Sequence, residues 1–164
     1  MVDDVTAKRV ALLCGGWSDE REVSLASAHE CAEALRQAGF SDVDMLDVAD
    51  PAFVHTIADG EYDVAFVALH GRYGEDGCVQ GFLELLGIPY TFSGVLASAV
   101  ASDKAMAKDV YRENGIPTPK DIVLFEGDPL ERDVVVEALG LPVFVKPVSN
   151  GSSYGITKVS RAED

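Results

Sequence analysis

Two uninterrupted apolar runs, each ending at a glycine-bearing turn, constrain this chain's fold more than any other feature of it. Val10-Ala11-Leu12-Leu13-Cys14 runs into Gly15-Gly16, and Val64-Ala65-Phe66-Val67-Ala68-Leu69 runs into His70-Gly71. Without polar alternation, such runs read as strands of a parallel sheet covered on both faces. Helical spacing follows each. After the first come Leu25, Ala28, Ala32 and Leu35, with Ser24 placed to cap the start and Gly39 to supply a left-handed stop. After the second, beyond a polar, glycine-punctuated loop ending at Gly77, come Val79, Phe82, Leu83 and Leu86. The stretch 42–48 is mixed in polarity and suits a strand nearer a sheet edge, whereas 64–69 is expected centrally. The class is α/β with a Rossmann-like parallel sheet, in which ligands sit outside the carboxyl ends of the strands.

The pattern changes near Ser102-Asp103-Lys104. A small-residue helix, 95–101, gives way there to a second helix that stops at Asn114-Gly115, ahead of Pro117. The remainder reads as strand 122–125, helix 129–139, strand 143–146, a glycine-serine loop and strand 156–159. The last two strands suit a hairpin covering a ligand, unlike the earlier βαβ pattern. The expected division is therefore residues 1–102 and residues 103–164. Strands 143–159 are expected to exchange amide protons faster than residues 8–102.

Charge narrows the partners. Thirteen Lys and Arg against 28 Asp and Glu give −15 over 164 residues, which repels nucleic acid and anionic membranes at long range. Any polyanion bound here needs lysines and N–H groups gathered locally. Cys14, Cys31 and Cys78 form no C-x-x-C pair, so neither a disulfide framework nor a structural zinc site is indicated. No metal ligands are assigned within the chain. The first residues lack a signal-peptide pattern and no apolar stretch reaches the length of a membrane span, so a cytoplasmic protein with reduced thiols is expected.

Three loops have the composition of sites. In Lys146-Pro147-Val148-Ser149-Asn150-Gly151-Ser152-Ser153-Tyr154-Gly155, a lysine at a strand end precedes residues of little bulk. Gly151 and Gly155 permit backbone angles that turn N–H groups toward phosphate, and serine hydroxyls add donors; the plain alternative is a flexible hairpin turn. It is no P-loop, which needs its lysine after the glycines and a helix next. His70-Gly71-Arg72-Tyr73-Gly74-Glu75-Asp76-Gly77 sets an imidazole and two carboxylates at a sheet mouth, able to orient a polar substrate. The alternative for Glu75 and Asp76 is attraction to the positive end of the next helix, worth a few tenths to roughly 1 kcal/mol.

The third loop, Gly15-Gly16-Trp17-Ser18-Asp19-Glu20-Arg21-Glu22-Val23-Ser24, lacks G-x-G-x-x-G spacing, and its acids suit an ammonium group rather than phosphate. A charged helix-start surface, with Arg21 paired to a neighbour, is the bland reading. Lys104 has Asp103 beside it as an obvious partner. Cys14 and Cys78 read as buried fillers. Trp17 and Tyr154 read as loop aromatics, with packing the safer role.

Taken in order, segments 15–25, 68–77, 93–104 and the Lys146 loop resemble the D-alanine–D-alanine ligases, from about Lys8 to the end of the chain. The resemblance implies a Rossmann-like domain followed by the small lobe of an ATP-grasp fold. It implies that ATP phosphorylates one D-alanine and that the amine of a second attacks the acyl phosphate, giving D-alanyl-D-alanine for peptidoglycan precursors. By position, Glu20 would hold the first ammonium, with Val23 and His70 lining the same site. Lys104 and Lys146 would contact ATP phosphates, Gly151, Ser152, Ser153 and Gly155 would cover them, and Ser152 would link that loop to Glu20. Magnesium ligands are expected beyond residue 164, homodimers through the first domain, and no turnover by these residues alone. Phe92, Trp17 and Tyr154 depart from the family pattern, which bears on local loop shape. D-alanine–D-lactate or another carboxylate–amine ligation is the alternative chemistry. A non-catalytic binding or dimerisation module is the alternative class.

Overall fold

Burial on both faces is what β1 (Val10–Cys14) is built for, and all five of its residues are inaccessible in the computed structural model, which describes residues 4–129 and 131–163. Side chains alternate across a strand, so one apolar run feeds two cores. Ala11 and Leu13 join Val48, Phe53, Ile57, Leu69, Val79 and Leu83 on one face. Leu12 and Cys14 join Ala28, Ala32 and Ala68 on the other. Helix α1 (Arg21–Gln37) covers the second face through its alanines, whose small side chains let it lie close to the sheet. Helices α2 (Phe53–Asp59) and α3 (Cys78–Leu86) cover the first.

Strands β2 (Val43–Asp47) and β3 (Val64–Val67) flank β1, both parallel to it, in the order β2-β1-β3. Leu12 stands opposite Met45 on one side and Phe66 on the other. The edge position expected for 42–48 is therefore observed. β1 holds the middle of the three strands, and β3 lies between β1 and a parallel bridge from Ala65 to Tyr90, where the Ala65 N–H donates to the Pro89 carbonyl (2.8 Å) and the Thr91 N–H to the Ala65 carbonyl (3.0 Å). Residues 64–67 are thus flanked on both sides, as their continuous apolarity leads one to expect, while the ladder ends at Val67 and Ala68 and Leu69 stay buried beyond it.

Ser24 differs more instructively. α1 begins at Arg21 with Glu20 at its N-cap and no side-chain cap bond, so Ser24 lies inside the helix, fully buried. Its hydroxyl accepts the Gly15 N–H (2.9 Å) and donates to the Ala68 carbonyl (2.6 Å), joining the exits of β1 and β3. Gly39 does take a positive φ of 101° just beyond the helix end.

A second tie at this edge comes from β2. The Asp47 carboxylate accepts the Gly16 N–H (3.1 Å), the Ala49 N–H (2.9 Å) and both Nη atoms of Arg21. The Arg21 bond, reinforced by the two N–H groups, holds the Asp47 carboxyl at about 2, below its ordinary 3.8.

The chain divides into two compact units between Ser102 and Asp103, at the end of α4 (Val95–Ser102). In the second unit, Asp103 caps α5 (Lys104–Glu113) by accepting the Ala105 and Met106 N–H groups, each at 2.9 Å. Asn114 closes that helix and Gly115 follows at φ 68°. Next come α6 (Arg132–Leu139) and an antiparallel hairpin of β4 (Val143–Val145) and β5 (Thr157–Val159), with Phe144 opposite Lys158. The hairpin agrees with the sequence reading.

The expected strand at 122–125 is absent. Its residues carry no ladder and Phe125 is 74% exposed, because apolar β-formers become a strand only where another strand offers its N–H and C=O groups. The preceding coil is tied to α5 instead, through Asp121, which takes Arg112 and lies 3.3 Å from Lys108 Nζ. Helix α6 starts at Arg132, three residues after the expected Pro129. Among the described residues no helix is long and apolar enough to cross a membrane.

Two outcomes are expected. Ser24→Ala strands a buried N–H and a buried C=O, so it should destabilise the first unit by about 1–3 kcal/mol. Urea unfolding followed by the fluorescence of the single tryptophan, Trp17, reads this directly. Asp47 is more acidic folded than unfolded, so its contribution is complete above about pH 5 and is lost as pH falls through 3.8 toward 2. Linkage gives at most about 2 kcal/mol, and the partial exposure of both partners reduces this to about 1 kcal/mol. Asp47→Asn should therefore be less stable than the parent at pH 6 and indistinguishable from it near pH 2.

Candidate substrate and nucleotide sites

Where β1 and β3 end, the two glycine turns meet. Ser18 Oγ donates to the His70 carbonyl (2.8 Å) and accepts the Glu20 N–H (3.2 Å), stitching residues 15–20 to residues 70–75. Gly71 lies at φ 68°, and a Cβ added there would come within 2.7 Å of Glu20 Oε2. The carboxylate of Glu20, a residue only 6% exposed, thus occupies space that glycine leaves open. A buried carboxylate is costly unless a cation or hydrogen-bond donors meet it. At the mouth of a parallel sheet, such a group suits a ligand ammonium.

The rest of this loop is held by its own acids. Glu75 Oε2 accepts the Gly71 N–H (2.8 Å), and Glu75 Oε1 lies 3.8 Å from His70 Nδ1. His70 Nε2 is buried with no hydrogen-bond partner among the described residues. Asp76 accepts the Tyr73 N–H (2.9 Å) and the Cys78 N–H (3.2 Å) at the opening of α3. Burial opposes ionisation of Asp76, but these bonds outweigh it and hold its carboxyl below the usual range. Asp76 therefore acts on the loop and helix start.

The structure brings Glu20 and His70 to one place through Ser18 and Gly71, and sets Val23 on the first turn of α1, 49% exposed. Cys14 is a buried filler as expected, whereas Cys78 is exposed, because it opens α3 at the loop rather than on the core face. Burial pushes both thiols up, Asp47 adding to the effect at Cys14 and Asp76 at Cys78, so neither is activated as a nucleophile. Trp17 is 64% exposed and meets Tyr73 edge to face at 5.8 Å. The two flank an apolar cleft of about 500 Å³ floored by Val48, Phe53 and Phe82.

Sequence reasoning missed Ser18, Asp47 and Gln80. Gln80 is fully buried and donates to the Gly74 carbonyl at 2.7 Å, holding the 70–77 loop from beneath. A lone glutamine on the inner face of a helix is the signal that was available.

In the second unit, Lys146 follows β4 as an exposed residue with its ammonium 5.9 Å from the Phe144 ring. The loop beyond it is exposed at Gly151, Ser152, Ser153 and Gly155. Its left-handed residues are Ser152 (φ 45°), Ser153 (φ 63°) and Gly155 (φ 69°), so the role expected of Gly151 falls on the serines. Left-handed backbone on a residue with a Cβ costs on the order of 1–2 kcal/mol. Lys104 is not partnered by Asp103, which is occupied in capping α5. Its N–H donates to the Val148 carbonyl (3.1 Å), and its ammonium donates to the carbonyls of Val148 (3.2 Å) and Asn150 (2.5 Å). With those carbonyls drawn toward Lys104, cationic and N–H character is gathered on a loop of an otherwise acidic protein.

Comparison with known proteins bears on both units. Residues 48–93 match the family described as D-ala D-ala ligase N-terminus, and residues 110–164 match D-ala D-ala ligase C-terminus. The chain is 50% identical over 157 residues to the D-alanine–D-alanine ligase of Ruegeria sp. (strain TM1040), covering 96% of this chain and 49% of that protein. It is 53% identical over 154 residues to the ligase of Aromatoleum aromaticum, covering 94% and 48%. Among solved structures, D-alanine–D-alanine ligase from Bacillus anthracis superposes with a TM-score of 0.82 at 38% identity, covering 94% of this chain and 50% of that one. The same enzyme complexed with ATP gives 0.78 at 35%, covering 96% and 52%. D-alanyl-alanine synthetase A from Vibrio cholerae gives 0.84 at 30%, covering 98% and 54%. The chain spans about half the length of the relatives it matches. With both units matched and that identity sustained along nearly all of its residues, the chain belongs to the D-alanine–D-alanine ligase family.

Proposed function

We propose that this chain supplies the first-amino-acid site and part of the nucleotide site of an ATP-dependent ligase that joins two D-alanines through an acyl phosphate. The Glu20 carboxylate carries the reading, because it lies at the sheet mouth against Gly71, the residue that follows His70, in space that the glycine leaves open. An acid at that place suits the ammonium of a D-alanine. Val23 and His70 would line the same site. The names of the relatives and the ATP complex of the Bacillus anthracis enzyme support the substrates.

Lys146 would meet the phosphates as a point charge. The amides and hydroxyls of Gly151, Ser152, Ser153 and Gly155 would close over them, and Lys104 would act from the base of the loop, exchanging carbonyl oxygens for phosphate. The reaction would gain chiefly from positioning of the reactants and from offset charge. Magnesium would ordinarily share that charge. Among the described residues, no group of three or more His, Cys, Asp or Glu side chains is placed to hold a metal ion. A place in peptidoglycan precursor synthesis, a cytoplasmic setting and homodimers through the first unit complete the proposal.

Two measurements test it. In initial-rate assays of the gene-encoded polypeptide, Glu20→Gln should raise KM for D-alanine by about 30-fold or more. Lys146→Ala should raise KM for ATP comparably, each change removing one charge-assisted contact. Normal kinetics in the Glu20→Ala, Lys146→Ala double variant would overturn the proposal. Residues 1–164 alone, given ATP, magnesium and D-alanine, should release no phosphate above background.

A further inference from the structure

The ion pair between Arg21 and Asp47 looks at first like a half-exposed surface contact, of a kind usually worth little. Its geometry is more specific than that. Asp47 Oδ1 accepts the Gly16 N–H at 3.1 Å, while Arg21 Nη1 donates to the Gly16 carbonyl at 2.9 Å. The pair therefore grips Gly16 by its N–H and by its C=O, and each partner fixes the other. Gly15 is held separately by the Ser24 hydroxyl, and a Cβ on Gly15 would collide with the Asp47 carboxylate and the Arg21 guanidinium. Gly16 and Arg21 are thus both immobilised, and Glu20 sits on the short segment between them. Asp47 comes from the exit of β2 and is itself steadied by the Ala49 N–H at 2.9 Å, so all three strands contribute to fixing that segment.

We propose that Asp47 and Arg21 are positioning residues for the first amino acid, holding the Gly15-Gly16 turn and the opening of α1 so that the Glu20 carboxylate faces the strand ends. Neither side chain touches the ligand. Their effect is on where Glu20 stands, so it appears in amino-acid affinity and not in nucleotide affinity. The inference rests on the reading of Glu20 as the ammonium acceptor.

Titration of the 15N-labelled chain with D-alanine, followed at the amides of residues 15–24, tests both ideas separately. The parent should respond, Glu20→Gln should lose the response, and Asp47→Asn and Arg21→Lys should each weaken affinity about tenfold, as expected when a binding group is displaced by a fraction of an ångström. ATP-induced shifts at residues 146–155 should be unchanged in both variants. Asp47→Glu, which retains a carboxylate for the guanidinium, should recover part of the lost affinity. Should Asp47→Asn fail to fold, Arg21→Lys carries the same test. A parent chain that gives no response to saturating D-alanine overturns the Glu20 reading and this inference with it. A parent that binds, with Glu20→Gln dead and the two pair variants binding as tightly as the parent, overturns the positioning role alone.

Discussion

Covering β1 on both faces is the requirement from which the first unit follows. Leu12 and Cys14 must be shielded on one side and Ala11 and Leu13 on the other, so helices have to cross above and below the sheet. Parallel strands joined by such crossovers all point the same way, and their exits accumulate at one edge. The polar groups found there, Ser24, Asp47, Ser18 and Glu20, are therefore products of the same arrangement that builds the core. Burying apolar area supplies the stability, and the edge uses it to hold costly groups such as an inward-facing carboxylate.

The second unit solves a different problem. Gathering positive potential in a chain of net charge −15 cannot rely on the overall field, so it falls to one loop. Lys104 engages carbonyl oxygens of that loop from α5, and the serines accept left-handed backbone to shape its outer side. Strain at two successive residues is tolerated where the surrounding bonds over-determine the shape, as the Tyr154 N–H to Gly151 and Ile156 N–H to Ser153 contacts do here.

Features set by near neighbours in the chain were the readable ones. The extent of β1, the Gly39 stop, the helix containing Val79 to Leu86 and the closing hairpin all follow from period and turn chemistry. Features set by distant partners were not. Ser24 looks like a cap because its true partners are nine and 44 residues away. Arg21 was read as paired to a neighbour, yet Asp47 lies 26 residues on, and nothing local marks either residue. The 122–125 stretch has every intrinsic preference of a strand and, among the described residues, no strand beside it. Of the candidate site the sequence displays residue types, an acid proposed for an ammonium and lysines with amides proposed for phosphate, whereas Ser18 and Asp47, which tie the first of these loops down, bond to partners far along the chain.

Gly71 carries an implication for how such a chain can change over time. Because the Glu20 carboxylate fills the volume where a side chain on residue 71 would begin, the two positions share one small space. A lineage that enlarges residue 71 must turn the residue 20 carboxylate aside, and the new side chain must also accept left-handed backbone close to Ser18. The two sites, fifty-one residues apart in sequence, thus meet as steric neighbours.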